Sequence, residues 1–286
     1  MLTSGLAVLL PGLTAALAFG VSNVLGKLAF VDGADVLALV AFRSVVGIAL
    51  LWAWLRLGAP ARPHTRRARW IALGLGVLFA ANVTGVFGAI RAIPVPVAVL
   101  AYFIYPLLTG LAGAATGIDR VGWRGFLAAL AAFVGLAMML GARIGDVDLL
   151  GVGSALAAAV VRVVSLLITR ASLHNTDARL NTWYSLVPSA AVFVALSLLT
   201  TTWNAPQSAF GWAAFIGMSV TSTVSTLTMF VSITRIGAFG TALIMNLEPL
   251  VSTLASVALL GEVLRPVQAF GGALMLLALC AFQMRR

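Results

Sequence analysis

Residues 98–109 read Ala98-Val-Leu-Ala-Tyr102-Phe-Ile-Tyr105-Pro106-Leu107-Leu-Thr109, and residues 241–252 read Thr241-Ala-Leu-Ile-Met245-Asn246-Leu-Glu248-Pro249-Leu250-Val-Ser252. The two stretches lie 143 residues apart, half of a 286-residue chain. Both place Pro-Leu at the same point of an apolar run. Ala98, Tyr102, Tyr105 and Thr109 follow spacings of four, three and four, and Thr241, Met245, Glu248 and Ser252 repeat them. Such spacings line one face of a helix. A proline within that helix leaves the carbonyl one turn earlier without its amide partner. Each stretch is therefore predicted to bend beside its polar groups.

The offset holds well beyond these stretches. Ala15, Ala16, Ser22 and Lys27 fall on Ala158, Ala159, Ser165 and Arg170. Gly74 falls on Gly217, Phe87 on Phe230, and Asp119 on Glu262. One offset that recurs along several segments marks an internal duplication, here residues 1–143 and 144–286.

The solvent for these halves is lipid. Hydrophobic residues make up 62% of the chain and charged residues 9%, against about 25% charged in soluble domains. So few charges cannot cover a water-facing surface. A membrane helix needs roughly 20 apolar residues. Ten windows qualify: 6–27, 36–57, 69–90, 94–115, 121–141, 149–171, 181–201, 210–232, 239–260 and 265–284. Their runs are continuous rather than alternating, which argues against a β-barrel. The expected architecture is an all-α integral membrane protein of ten transmembrane helices. Five spans per half is an odd number, so the second half enters the membrane in the opposite sense. The two five-helix repeats are thus inverted and form one transmembrane domain, with a substrate site expected near the midplane between them.

A net charge of +10 would suggest nucleic acid in a soluble protein. Here it follows topology, and no nucleic-acid partner is expected. With a cytoplasmic N-terminus, the inner connections and ends carry 12 arginines, among them the Arg62–Arg69 cluster. The outer ones carry four cations: Lys27, Arg91, Arg143 and Arg265. That is the positive-inside pattern. Asp32, Asp35, Asp146, Asp148 and Glu262 fall outside. Contact of the basic cluster with anionic lipid is a secondary reading. Cys280 is the only cysteine, so no internal disulfide forms, and residues 1–5 lack the cationic start of a cleavable signal.

With ten spans in two halves, Pro106-Leu107 and Pro249-Leu250 in the fourth and ninth, and Leu260-Gly261-Glu262 before the last, the chain resembles the EamA family of the drug/metabolite transporter superfamily. The first half departs from the last motif with Gly117-Ile118-Asp119. Phe19-Gly20-Val21-Ser22-Asn23-Val24 and Leu100-Ala101-Tyr102-Phe103-Ile104-Tyr105-Pro106 look most like YddG-type exporters of aromatic amino acids, which also extrude the dication paraquat. The resemblance implies a multi-pass exporter of the bacterial inner membrane, both termini cytoplasmic, acting on an amino acid: aromatic ones, with threonine and paraquat (methyl viologen) as further substrates. It does not assign binding residues.

Polar groups at membrane depth supply the candidates. A charge near a helix centre costs about 2.5–3.5 kcal/mol on insertion scales. Arg162 sits mid-span among valines. It is either a contact for a substrate carboxylate or a packing partner of Glu248. Glu248, before Pro249, is a proton-coupling group or a receptor for a substrate ammonium, with a structural salt bridge as the alternative. Its equivalent in the first half is Tyr105, not a second acid. Tyr102 and Tyr105 form aromatic walls for a flat substrate, or pack an interface. Asn82 and Asn246 carry amides that need several partners when buried. Arg43 is read as snorkelling or pairing with Asp35. The hydroxyls of the eighth span, Ser219 through Thr228, are read mainly as close-packing groups. Trp183 and Tyr184 are read as an interfacial belt.

Other chemistries find little support. His64 and His174 form no ligand cluster, so no metal or other cofactor is expected. Gly74-Leu75-Gly76 lacks the third glycine of a dinucleotide fingerprint, and neither a P-loop nor a G-x-S-x-G motif occurs. No enzymatic activity is expected. The acids are too dispersed for a membrane-embedded lipid enzyme. Export of another metabolite or a cationic drug is the nearest alternative. A lipid scramblase or passive channel is the alternative of another class. No oligomer is required.

Overall fold

Four helices begin where a side-chain oxygen satisfies their first free amides. Asp35 caps α2 (Val36–Leu57) by accepting from Ala38, and Thr65 caps α3 (Arg66–Ala92) through Ala68. Asp148 caps α7 (Leu149–Ser172) through Leu150, and Ser208 caps α9 (Ala209–Met245) through Gly211. The other helices are α1 (Leu2–Val31), α4 (Val95–Tyr102), α5 (Tyr105–Ala115), α6 (Trp123–Leu140), α8 (Ala178–Thr200), α10 (Leu247–Leu260) and α11 (Pro266–Gln283). This computed structural model describes residues 2–141, 148–200, 203–260 and 263–283, and among them every element is helical. Arg143, Asp146, Gly261, Glu262, Arg285 and Arg286 lie outside the described residues.

The windows and the helices differ in two places. The fourth window is one apolar span, Val95–Ala115, interrupted at Phe103 and Ile104 between α4 and α5. The eighth and ninth windows are redistributed. At 37 residues, α9 would be about 55 Å long if straight, well beyond a bilayer core of about 30 Å. It is not straight. Gly237 has φ +84° and ψ 173°, so the chain leaves the helix there and re-enters it at Ala238. A second interruption at Asn246 then separates α10. Asn246 is the offset equivalent of Phe103, so both spans break at one repeat position, just ahead of their Pro-Leu. Eight described helices are long and apolar enough to cross a membrane, and Leu247–Leu259 and Pro266–Phe282 are shorter apolar helices.

Packing follows the duplication. Helix α3 packs on α7, and its offset counterpart is α9 on α1. The α4–α5 span also packs on α7, and α10 correspondingly on α1. Helices α2 and α8 pair, as do α6 and α11, each pair being its own counterpart. Two cross-helix bonds mark the relation atom by atom. Asn82 Nδ2 donates to the Ala158 carbonyl at 2.7 Å, and Ser225 Oγ donates to the Ala15 carbonyl at 2.6 Å. Both donors and acceptors differ by 143 residues.

Small residues allow these close approaches, which carry much of helix association in lipid. Where α6 crosses α11, a Cβ on Gly135 would stand 2.6 Å from the Gly271 carbonyl. The hydroxyls of α9 mostly bond their own preceding turn, as Ser219 does to Phe215 and Thr226 to Ser222.

Contacts at the helix ends define two faces. Asp32, after α1, accepts from the Gln207 and Ser208 amides at 2.8 Å each, joining the end of α1 to the start of α9. On the opposite face, Arg235 donates to the Ala7 carbonyl at 3.0 Å and Arg170 to the Thr234 carbonyl at 3.1 Å. Thus α1 starts, and its counterpart α7 ends, on the Arg235 face.

Candidate functional site

A cavity of about 160 Å³ lies between the halves, bounded by α1, α2, α3, α4, α7 and α10. Its polar lining is Asn23, Arg43, Asn82, Tyr102, Arg162 and Glu248. Phe19, Phe79 and Phe87 with Val83 and Val86 form its apolar walls. Phe19 and Arg162 are offset equivalents, so the duplication places an aromatic ring and a cation at matching points of one chamber. The fold is symmetric and the chamber is not.

Arg162 extends from the middle of α7 and is only 8% exposed. Its Nη2 lies 3.0 Å from Met229 Sδ, a weak acceptor, and its guanidinium stands 5.8 Å from the centroid of Tyr105. Its Nε has no hydrogen-bond partner. The packing alternative required an ion pair with Glu248, and no such pair forms within 4.0 Å. Arg170–Asp119 and Arg179–Asp177 are ion pairs of this structure, and Arg162 belongs to neither. Arg162 therefore lines the chamber it shares with Glu248 without a contact ion pair, and an anionic group placed against it would stabilise it.

Glu248 enters the chamber from the first turn of α10, just past the break at Asn246. Its Oε1 accepts from Asn23 Nδ2 at 3.0 Å, and the same amide reaches Ser252 Oγ at 3.3 Å. Asn23 is exposed although it lies deep within α1, because it faces the chamber. The break in the span turns a helix start toward the cavity, which suits a carboxylate held there.

The remaining predicted residues divide. Asn82 lines the chamber while donating to Ala158, and its Oδ1 lies 3.4 Å from the Tyr102 hydroxyl. Tyr102 is half-buried and lines the chamber. Tyr105 is 1% exposed and backs Arg162, its ring 5.3 Å from that of Tyr102. It supports the wall and is not part of the surface. Asn246 is 1% exposed and is not among the lining residues. Its Oδ1 lacks a partner and its backbone amide caps α9, so it belongs to the helix break.

Arg43 corrects its sequence reading. Asp35 is occupied by the amides of Ala38 and Asn204 and does not pair with it. Arg43 instead lies over the Phe79 ring at 5.4 Å and lines the chamber opposite Glu248. The pairing with Asp35 fails because that carboxylate caps its own helix. Asn23 was legible by a rule like the one that selected Asn82, an amide within a membrane span. Phe19, Phe79 and Phe87 carry no signal among so many apolar residues.

Toward the Arg235 face, a pocket of about 40 Å³ shares Phe79, Asn82 and Arg162 with the chamber and is otherwise walled by residues such as Leu75, Met229 and Ile233. Beyond it lies a polar clasp. Asp119 accepts from the Phe239 amide at 2.8 Å and pairs with Arg170 Nε at 3.4 Å. Arg170 also holds the carbonyls of Ile233 and Thr234. The clasp ties the end of α7 and the connection after α5 to the kink at Gly237.

A membrane-embedded chamber with opposed charges, reached through broken spans, has the design of a solute path. A family model for EamA-like transporters matches the chain twice, over residues 6–141 and 149–282. The chain belongs to the EamA-like transporter family. As an EamA-like transporter it is a multi-pass membrane protein that moves small molecules, in a family that is in general not enzymatic. The two matches fall on the two halves of the duplication. One solved crystal structure, described simply as that of a protein, superposes on this EamA-like chain with a TM-score of 0.84 at 21% identity, covering 98% of this chain and 97% of its own. At that identity the likeness shows the fold alone. A comparison with curated proteins finds no match.

Proposed function

We propose that this EamA-like transporter exports amino acids, aromatic ones foremost, by alternating access through the chamber between its halves. The observation that carries the reading is the chamber's lining: Glu248 with Asn23 on one wall, Arg43 and Arg162 on others, and aromatic rings between. A carboxylate receives an ammonium, guanidiniums receive a carboxylate, and phenyl and phenol faces receive a flat side chain. Formal charges in the lining sum to one positive: two arginines against one glutamate. That balance favours a zwitterion over a dication, so paraquat ranks below amino acids among the substrates.

The mechanical side of the reading is a bundle of ten spans in two inverted five-helix repeats. The opposite directions of α1 and α7 and the matched Asn82 and Ser225 bonds support it. Two arrangements related by such a symmetry have similar energies, as alternating access requires. The arginine-rich Arg235 face is then cytoplasmic, with both termini, in a bacterial inner membrane. The test is a competition panel of all amino acids in proteoliposomes, with and without a proton gradient. Saturable flux with aromatic amino acids as the strongest competitors is expected. Non-saturable flux, or none for any amino acid, removes the reading.

A further inference from the structure

A second polar recess of about 530 Å³ lies on the Arg235 face, away from the chamber. It is formed by the end of α2, the connection from 58 to 65, the start of α3 and the start of α8. Trp52, Arg56, His64, Arg69, Trp183 and Tyr184 line it, and no carboxylate does.

Charge accounting on this face leaves the two arginines uncompensated. Among the described residues, the acids in connections on the Arg235 face are Asp119 and Asp177. Asp119 is taken by Arg170 and the Phe239 amide. Asp177 is taken by Arg179, through Nη2 to Oδ2 at 2.7 Å and Nε to Oδ1 at 3.1 Å. Arg56 lies over the Trp52 ring at 5.6 Å, which fixes its stem but supplies no counter-charge.

The walls are held in place. His64 Nε2 and Asn181 Oδ1 are 2.6 Å apart, and Arg179 Nη1 donates to the Ala59 carbonyl at 2.9 Å, stapling the connection to α8. The recess also has an apolar side. Trp52 is 53% exposed on the outer flank of α2, so the opening reaches the surface that lipid covers.

We propose that this recess binds the phosphate-bearing headgroup of an anionic membrane lipid. Arginine forks match phosphate oxygens, and tryptophan and tyrosine hold the headgroup level of a bilayer. Basic pockets between spans on the cytoplasmic side are suited to such headgroups. The lipid side is favoured over free phosphate because Trp52 and Leu55 continue the wall along α2.

The test uses the full-length protein in neutral detergent, titrated with phosphatidylglycerol, phosphatidylcholine or inorganic phosphate and read by native mass spectrometry. Selective retention of phosphatidylglycerol is expected. The double variant R56Q/R69Q should bind it about thirtyfold more weakly, from about 1 kcal/mol per arginine near an anionic surface. The variant R66Q/R67Q removes equal charge from the same segment outside the recess and should retain binding. Equal retention of phosphatidylcholine overturns the proposal, as does equal loss in both variants or full displacement by inorganic phosphate. The lipid comparison on the unaltered protein stands even if a variant fails to fold.

Discussion

A guanidinium held between Met229 and Tyr105, with its Nε unpaired, makes no contact ion pair among the described residues. If a substrate carboxylate supplies the partner, Arg162→Ala should fold and still reach the membrane while half-saturation for amino acids rises. A charge-assisted hydrogen bond is worth about 1.5–3 kcal/mol, or roughly ten- to a hundredfold in apparent affinity. Initial rates in proteoliposomes across a substrate series measure it, and wild-type kinetics would remove Arg162 from the site. Glu248→Gln keeps an oxygen for the Asn23 amide but loses the charge. Its expected effect is weakened binding of zwitterions with binding of amine-free acids spared, checked by competition in the same assay. At this scale the sequence spoke through cost. Arg162, Glu248 and Asn82 stood out because a polar group at membrane depth must be matched by something. The same logic pointed at Arg43 but gave it the wrong neighbour, since helix spacing cannot show that Asp35 is already used as a cap.

Elements are shaped by where hydrogen bonding is interrupted. Pro106 and Pro249 follow the breaks at Phe103–Ile104 and Asn246, and the Pro-Leu repeat made both bends legible. The kink at Gly237 was not legible, because one glycine in an apolar run is common and its offset equivalent is Pro94. Its φ of +84° with ψ of 173° is a region open essentially to glycine, and a Cβ there would press on Asp119 at 2.7 Å. Gly237→Ala should cost about 1–3 kcal/mol from backbone strain alone. The expected readout is a lowered thermal unfolding midpoint in detergent. On the other face, the Ser208 amide and hydroxyl with the Gln207 amide hold the Asp32 carboxyl below its usual value of 3.8. A carboxyl lowered on folding stabilises above pH 3.8, and that contribution fades as pH falls through the lowered value. Wild type should therefore exceed Asp32→Asn in unfolding midpoint near neutrality, and the gap should close in acid.

Over the whole molecule, two halves fold alike and build an unlike chamber. Duplication was readable from a single offset because helix packing repeats small and polar residues at fixed places, as Ala15 and Ala158 show. Chamber chemistry was only partly readable, because it depends on which helices meet, and α1 brings Asn23 to Glu248 across 225 residues of sequence. Opposed running of α1 and α7 predicts that Phe30→Cys and His174→Cys, each in a Cys280→Ser background, are labelled from opposite sides of the membrane by an impermeant maleimide. Phe30 is exposed near the Asp32 end of α1, and His174 is exposed just past the Leu173 cap of α7 on the other face. Labelling of both from one side would break the inverted arrangement.

The chamber's paired charges are tested most directly by counterflow of labelled phenylalanine against three competitors: phenylalanine itself, phenethylamine, which lacks the carboxylate, and phenylpropionate, which lacks the ammonium. Strong competition by the zwitterion alone is predicted, with phenylpropionate recovering relative to phenylalanine in Glu248→Gln. Competition of the wild type by phenethylamine or by phenylpropionate equal to that of phenylalanine would contradict it.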